Sequence, residues 1–519
     1  MAVLRAAFFA AFSLFMVIAR AEAQDVTLSS RDGAVEISGN LLGFDGEFYR
    51  LDTVYGELTV DGSGVNCEGP GCPSLESYIA RITFSGAPTI GRVLMPGLLE
   101  AFAIKNGYGL ERFEIADQMF SYTLSDREKD QVIGEFTFRL TNSDEGFADL
   151  LANEADISMS HREVRPDENR RAQEAGLGDL TEEARSHVIA LDALVPVVSP
   201  TNPMQAISMS QLAAILSGDI VEWSQIDGPD APIAVHVLDQ ATGFGQTTVD
   251  RLLGPVGEAL IEGAVQHPDE MGLLAAVIAD PFALGVASQS NTGGTWPLAL
   301  RGECGFAMRA IRRTVKTEDY PLTAPLFLYK PARRFPKLVR EFLVYLSDPS
   351  AQLVIRRAGF VDQAPEEIEI NAQGDRFANA ILRAGPDISL AQLQQMVETL
   401  APLKRLTTTF RFEPGSARLD AQSRSNVLQL AKAMELGQYD MRRLVFVGFS
   451  DSQGPADGNL RIAQSRADAV RDAVTRAAET ANLTRIDIEA IAFGEAMPMA
   501  CDDTEWGRQV NRRVEVWVR

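Results

Sequence analysis

The 519-residue sequence is 46% apolar and 23% charged, and its 48 Lys and Arg against 71 Asp and Glu leave a formal charge of −23. This composition describes a folded chain of about three domains. It excludes disordered, collagenous and coiled-coil chains, and the acidic excess excludes nonspecific nucleic-acid binding, which needs Lys and Arg against phosphates. Four Cys are too few for a disulfide scaffold, and His161, His187, His236 and His267 lack zinc-site spacing, so no cofactor or metal is expected.

Residues 1–23 read as a secretory signal peptide. Arg5 supplies the positive end, residues 6–19 a short apolar core, and Ala21-Glu22-Ala23 a small-residue cleavage site. That core is shorter than the roughly 20 residues a spanning helix needs, so export rather than anchoring is expected. No Cys follows Ala23 to be acylated. The expected destination is a bacterial periplasm, which permits disulfides.

Residues 24–76 read as a small β-rich segment, with strand candidates at Val35–Ser38, Phe48–Leu51 and Leu58–Val60 between Gly turns. Cys67 and Cys72 flank four residues containing Gly, Pro and Gly, a spacing that admits a small disulfide loop; a metal clip lacks a second Cys or His pair nearby. Cys304 and Cys501 fall in different domains, and their redox state stays open.

From 77 to 365 strands and helices alternate. Strands are predicted at Ile82–Phe84, Ala155–Met159, Val195–Ser199 and Ala234–Leu238, and helices at Ser210–Ser217, Thr247–Leu253 and Pro336–Leu346. The alternation predicts a parallel-type α/β sheet, and its length predicts two lobes. Three strand-end turns carry polar groups into helices: Ser85 to Thr89, Ser160-His161-Arg162, and Thr242-Gly243. Donors at helix N-termini facing one cleft suit an anion, which makes Ser85, Thr89, Ser160, His161, Thr242 and Gly243 the candidate anion-binding residues.

Residues 366–404 read as a linker with one amphipathic helix, its stripe being Leu390, Leu393, Met396, Val397 and Leu400. Residues 405–519 predict an α+β sandwich, with strands at Thr409–Phe412, Leu444–Gly448, Ile486–Ala492 and Val514–Val518. Asp451 sits just past one strand. Arg466 lies beside the apolar stripe Ala463, Ala467 and Val470, where its stem lies on the domain and its guanidinium reaches the strand end. A carboxylate and a guanidinium in one shallow crevice suit a zwitterion.

The C-terminal residues resemble the OmpA C-terminal-like family. The matching features are Gly448-Phe449-Ser450-Asp451, Gly454, Asn459, Ser465-Arg466-Ala467, Gly494-Glu495 with Pro498, and Asn511-Arg512-Arg513-Val514. The resemblance implies noncovalent binding of peptidoglycan through the diaminopimelate of its stem peptide. Asp451 and Arg466 would be the principal contacts, supported by Asn459 and Arg513. Ile462-Ala463 stands where the family carries Leu-Ser.

Residues 190–239, Tyr320–Leu326 and Gly359–Val361 resemble the PstS-like type of periplasmic solute-binding protein. That resemblance implies a two-lobed, type II binding-protein fold, a phosphate-type anion ligand and an ABC-type transporter partner. Leu238 and Phe244 stand where the family carries the Arg and Thr of its third loop, and Ser160-His161 where it carries Ser or Asp. A lost charged hydrogen bond removes roughly 1.5–3 kcal/mol. The departures therefore point to a cleft for another anion, or for none, instead of tight phosphate capture.

The sequence thus predicts a periplasmic protein, wall-associated on the outer-membrane side, that binds peptidoglycan and presents an anion-binding domain. The alternative is a wall anchor whose middle domain has become a protein-interaction module. No enzyme is expected: there is no HExxH, and Gly448–Ser452 does not complete GxSxG.

Overall fold

The computed structural model describes residues 25–73, 78–182, 184–302, 307–385, 387–413, 416, 418–502 and 505–519. The expected signal peptide and Cys304 lie outside the described residues.

Five antiparallel strands, β1 (Val26–Ser30), β2 (Glu36–Phe44), β3 (Phe48–Thr53), β4 (Gly56–Asp61) and β5 (Val65–Glu68), form the N-terminal sheet in the order β4-β3-β2-β1-β5. Its core is small: Val26, Leu28, Tyr49 and Leu51 are buried, and Cys67 and Cys72 are disulfide-bonded beside them. Asp45 and Glu47 join this sheet to Arg334, Lys337 and Arg340 of the next domain.

The middle domain is two-lobed. Its strands are β6 (Ala80–Gly86), β7 (Tyr108–Ala116), β8 (Met119–Asp126), β9 (Gln131–Leu140), β10 (Ile157–Ser160), β11 (Ser186–Val198), β12 (Ala234–Leu238), β13 (Val265–His267), β14 (Ala283–Ser288) and β15 (Thr323–Tyr329). They share one sheet in the order β13-β12-β14-β11-β15-β10-β6-β9-β8-β7. The sheet is mixed, not parallel as the alternation suggested. β6 runs parallel to β9 and β10, but β15 is antiparallel to β10 and β11, and β7–β8–β9 is an antiparallel meander. The meander follows helix α1 (Met95–Asn106), which Gly107 closes at φ 74°. Its alternating Phe120, Tyr122 and Leu124, with Phe136, Phe138 and Leu140, bury one face in lobe one.

Lobe one packs β6, the meander and α1 around that core, and lobe two packs around Trp223, Leu273, Val286 and their neighbours. β11 and β15 serve both: Ile189, Leu326 and Leu328 enter the first core, and Val188, Phe327 and Tyr329 the second. Five described helices of this domain carry polar side-chain N-caps, two of them supplied by Asp269 and Asp348. Asn142 caps α2 (Ser143–Leu151), Ser208 caps α3 (Met209–Ser217) within a capping box, and Thr242 caps α4 (Gly243–Leu252).

The C-terminal sheet has five strands: β16 (Lys404–Arg411), β17 (Arg443–Phe449), β18 (Asp487–Gly494) and β19 (Arg513–Val518), in the order β16-β19-β17-β18, with the short strand Glu367–Ile368 pairing antiparallel on the outer edge of β16. Its first face takes α5 (Ala421–Glu435) and α6 (Ala456–Ala477). Val427, Leu430, Met434, Ala467, Val470 and Val474 are buried there against Leu444, Phe446 and Val516. Its second face is covered by helices Gly374–Leu382 and Leu390–Leu400, the stretch expected to be a linker. Leu393, Met396 and Leu400 pack on Val445, Val447, Phe449 and Trp517. The amphipathic stripe is thus half of a sandwich, because β17 and β19 bury both of their faces.

The C-terminal domain is seated on lobe two. Ala421, Met499 and Val510 belong to the lobe-two core. Arg405 donates to both oxygens of Asp319 at 2.6 and 2.9 Å, and Ser425 donates to Gln363 at 2.7 Å.

Candidate functional site

Two places carry chemistry. The first is the crevice at the end of β17. Gly448 is required there by close approach: a Cβ would stand 2.1 Å from the carbonyl of Ala463, so α6 lies directly on the strand. This contact sets Asp451, just past the strand, opposite Arg466, about three turns into α6.

Asp451 is 8% exposed. Its Oδ2 accepts from Arg512 Nη1 at 2.9 Å and its Oδ1 from the N–H of Gln453 at 3.3 Å. Arg512 also donates to Glu505 at 2.5 Å. Arg466 has no ion-pair partner among the described residues. It is half-buried, with its guanidinium 5.0 Å from the centre of the Phe412 ring. Burial lowers its pKa, the Arg512 charge adds to that, and the Asp451 carboxylate opposes it. The hydroxyl of Ser450, next to Asp451, is buried without a partner. The crevice therefore holds one carboxylate and two guanidinia, one of them unpaired.

The other two predicted contacts lie elsewhere. Asn459 is buried and donates to Glu495 at 2.8 Å, which ties α6 to the turn after β18. Arg513 is fully buried on the far side, where Nε donates to Glu515 at 2.7 Å and the guanidinium lies over Phe449. Burial pushes its pKa down to about 10. Burial also disfavours the charged form of Glu515, yet Arg376, Arg405 and Arg513 together hold that carboxylate below its usual range. Arg513 is a core residue, and the arginine that reaches Asp451 is its neighbour Arg512. The strand period holds the signal: Arg513, Glu515 and Trp517 alternate into one interior, whereas Arg512 sits in the bend between helix Glu505–Asn511 and that strand.

The second place is the cleft of the middle domain. The three predicted turns do meet. A Cβ at Gly243 would stand 3.0 Å from Ser143 Oγ, 3.1 Å from His161 Cδ2 and 3.2 Å from Ala87 Cβ. Ser143, at the start of α2, is a fourth contributor absent from the sequence-based candidates; the cap Asn142 before it was the available signal.

Apart from the His161 ring, the polar groups there are engaged by other groups of the protein. Ser85 donates to Asp149 at 2.5 Å. Ser160 donates to the carbonyl of Arg162 at 2.7 Å and accepts from its N–H. Thr242 donates to the carbonyl of Asp239 and caps Gly245. Ser143 Oγ accepts the N–H of His161 at 3.2 Å. Thr89 has helical backbone and makes no cap, and the N–H groups of Ile90 and Gly91 turn back to Ala87. Arg162 is neutralised by Asp144 and Glu168. His161 is 2% exposed, beside Phe244, with neither ring nitrogen partnered. Burial lowers its pKa to about 4, so it is neutral at pH 7. Cys501 is disulfide-bonded.

Comparison with known proteins divides the chain in the same way. Residues 81–349 match the family described as PBP superfamily domain, and residues 411–512 match the OmpA family. The phosphate-binding protein PstS of Borreliella burgdorferi is 25% identical over 207 residues, 35% of this chain and 69% of that protein. The outer membrane porin F of Pseudomonas fluorescens is 32% identical over 119 residues, 23% of this chain and only 35% of the porin. Among solved structures, an ABC-type phosphate transport receptor from Vibrio cholerae is 20% identical. The match covers 54% of this chain and 99% of the receptor at a TM-score of 0.42. The peptidoglycan-associated lipoprotein from Burkholderia pseudomallei is 24% identical, covering 22% of this chain and 90% of its own, at a TM-score of 0.19.

Proposed function

The chain belongs to the PBP superfamily through its PstS-like domain and carries an OmpA-family domain behind it, and from that premise we propose that it is an exported, wall-bound binding protein. The OmpA-like domain grips peptidoglycan noncovalently, and the middle domain presents a phosphate-type anion-binding fold to the periplasm. Delivery of a loaded anion to an ABC-type transporter is the role such a fold would serve.

The observation that carries the wall contact is the unpaired, half-buried guanidinium of Arg466 beside the Asp451–Arg512 pair. A free amino acid end, such as that of diaminopimelate, brings an ammonium to Asp451 and a carboxylate to Arg466. Its carboxylate meets two guanidinia in a partly dry crevice, where charged hydrogen bonds are strongest. Asn459 supports the crevice through Glu495 and is assigned a positioning part. Retention on purified sacculi tests this: wild type is expected to sediment with them, and Asp451→Ala and Arg466→Ala are expected to stay in solution. Full retention of both variants would remove the assignment.

A second reading of the middle domain rests on the hydroxyls of Ser85, Ser160, Thr242 and Ser143, all engaged by other groups of the protein, and on the tight contact at Gly243. In that reading the domain has given up phosphate and serves as an interaction module. Calorimetry with phosphate and related oxyanions separates the two. Saturable heat supports the anion-binding reading, and its absence for every oxyanion supports the module.

A further inference from the structure

β16 carries two rows of side chains, because successive residues of a strand point to opposite faces. Leu406 and Phe410, with Phe412 just beyond the strand, enter the first-face core. Arg405, Thr407, Thr409 and Arg411 make up the other row. A polar row ordinarily faces water, yet all four of these residues are buried. Lobe two and the segment at Glu366 cover them.

The two arginines of that row hold one turn of lobe two, just before β15. Arg405 takes the carboxylate of Asp319. Arg411 Nη2 donates to the carbonyl of Glu318 at 2.6 Å, while the Glu318 carboxylate stands 3.9 Å from Nε, so the hold is on the backbone. Arg411 differs from Arg405 in what its other nitrogen reaches. Its Nη1 donates to the carbonyls of Gln509 and Val510 at 3.0 and 2.8 Å. These carbonyls belong to the last turn of helix Glu505–Asn511, where no partner exists within the helix and a cation suits the dipole.

The same helix carries one side of the wall-binding crevice. Arg512 follows it directly and reaches Asp451. Before its first turn, Asp502 accepts the N–H of Ser452, next to Asp451, at 2.6 Å. Phe412, the residue after Arg411, turns the other way and lies under the guanidinium of Arg466. Residues 411 and 412 therefore stand behind both guanidinia of the crevice.

We propose that Arg411 is a positioning residue for the wall-binding crevice, acting through Arg512, and that the same guanidinium fastens the crevice to lobe two. This rests on the reading of the crevice as the wall contact. Arg411 is buried and meets no ligand itself. It sets the end of helix Glu505–Asn511, and the helix end sets where the Arg512 guanidinium stands beside Arg466. A lysine would keep the charge, but a single ammonium lacks the planar fork that spans carbonyls of two domains.

The test measures the affinity of the full-length protein for purified sacculi, at a temperature where circular dichroism shows every variant folded. Arg411→Lys is expected to weaken binding about tenfold, since the alignment of one charged hydrogen bond is lost. Arg411→Gln, which keeps one donor and buries no charge, is expected to do the same and replaces the lysine variant if that one does not fold. Arg405→Lys leaves Arg411 on its three carbonyls; it is expected to lower Tm and leave the affinity unchanged. In an Arg512→Ala background, Arg411→Lys is expected to cost no further affinity, because nothing is left for it to align. Additive losses in that cycle would make Arg411 merely structural and overturn the proposal. So would unchanged affinity in the Arg411 variant, or equal losses in the Arg411 and Arg405 variants. Asp451→Ala and Arg466→Ala keep the two claims apart. If they lose retention while Arg411→Lys keeps it, only the positioning role falls; if they are retained in full, the wall contact falls and the positioning role with it.

Discussion

The crevice at Asp451 and the cleft at Gly243 are built alike and end differently. Each has a loop at a strand end, a helix beside it, and a glycine where backbones or side chains come close. In the crevice, one guanidinium is left without a counter-charge although it is half-buried. In the cleft, the hydroxyls are taken up by neighbouring groups of the protein, only the sealed His161 ring is left without partners, and the glycine is walled in by Ser143, His161 and Ala87. The lesson is that a binding site is recognised by bonding capacity left unused, not by the presence of the right residue types.

The sharpest break in the comparison concerns the adjacent arginines. Arg513→Ala removes a fully buried partner of Glu515 and is expected to destabilise the protein by roughly 3–5 kcal/mol in urea unfolding, whereas Arg512→Ala is expected to leave stability nearly intact and weaken sacculus retention. A reversal of those phenotypes would exchange the two roles.

His161 tests whether the cleft is closed. Its folded pKa of about 4 lies below the ordinary 6.5. The unfolded chain therefore takes up a proton as pH falls through 6.5, while the folded one stays neutral. The stability this supports is full above pH 6.5 and is lost between 6.5 and 4, by about 3 kcal/mol in all. His161→Gln is expected to make that part of the pH profile shallower without flattening it, because burial also lowers the pKa of His187 to about 4. A wild-type profile with no such slope would show that the imidazole reaches water or an acidic partner.

Retention on sacculi comes next in size. Arg466→Ala is expected to weaken binding about tenfold to a hundredfold, as one charged hydrogen bond to the ligand disappears. Its Tm is expected to change little, since only a cation–π interaction with Phe412 goes with it. A large fall in Tm with retention intact would turn Arg466 into a structural residue. The smallest effect is Gly243→Ala. The added methyl is expected to force Ser143, His161 and Ala87 apart for a loss of about 1–3 kcal/mol. A neutral result would mean that the cleft has room.

Much of this was legible in residues. The stripes Val427, Leu430 and Met434, and Ala467, Val470 and Val474, have helical spacing and are buried as that spacing predicts. Strand ends at Asp451 and Ser160 follow from apolar runs that stop at polar residues. Other features were not legible. Leu393, Met396 and Leu400 look alike on a solvated linker helix and on a sandwich layer, because amphipathicity states that a face is covered and not by what. The supporting arginine was read as Arg513, whereas Arg512 is the one that reaches Asp451, since an NRR run does not say which guanidinium the strand turns inward.

By itself the amino-acid order determined the local periods, the caps and the two families, because these depend on neighbours a few residues apart. Folding at long range decided which polar groups are paired: Arg405 meets Asp319 and Ser425 meets Gln363 across a domain boundary, while Arg466 has no carboxylate partner among the described residues. Coulomb attraction and desolvation act on distances in space, and separation along the chain carries no record of them.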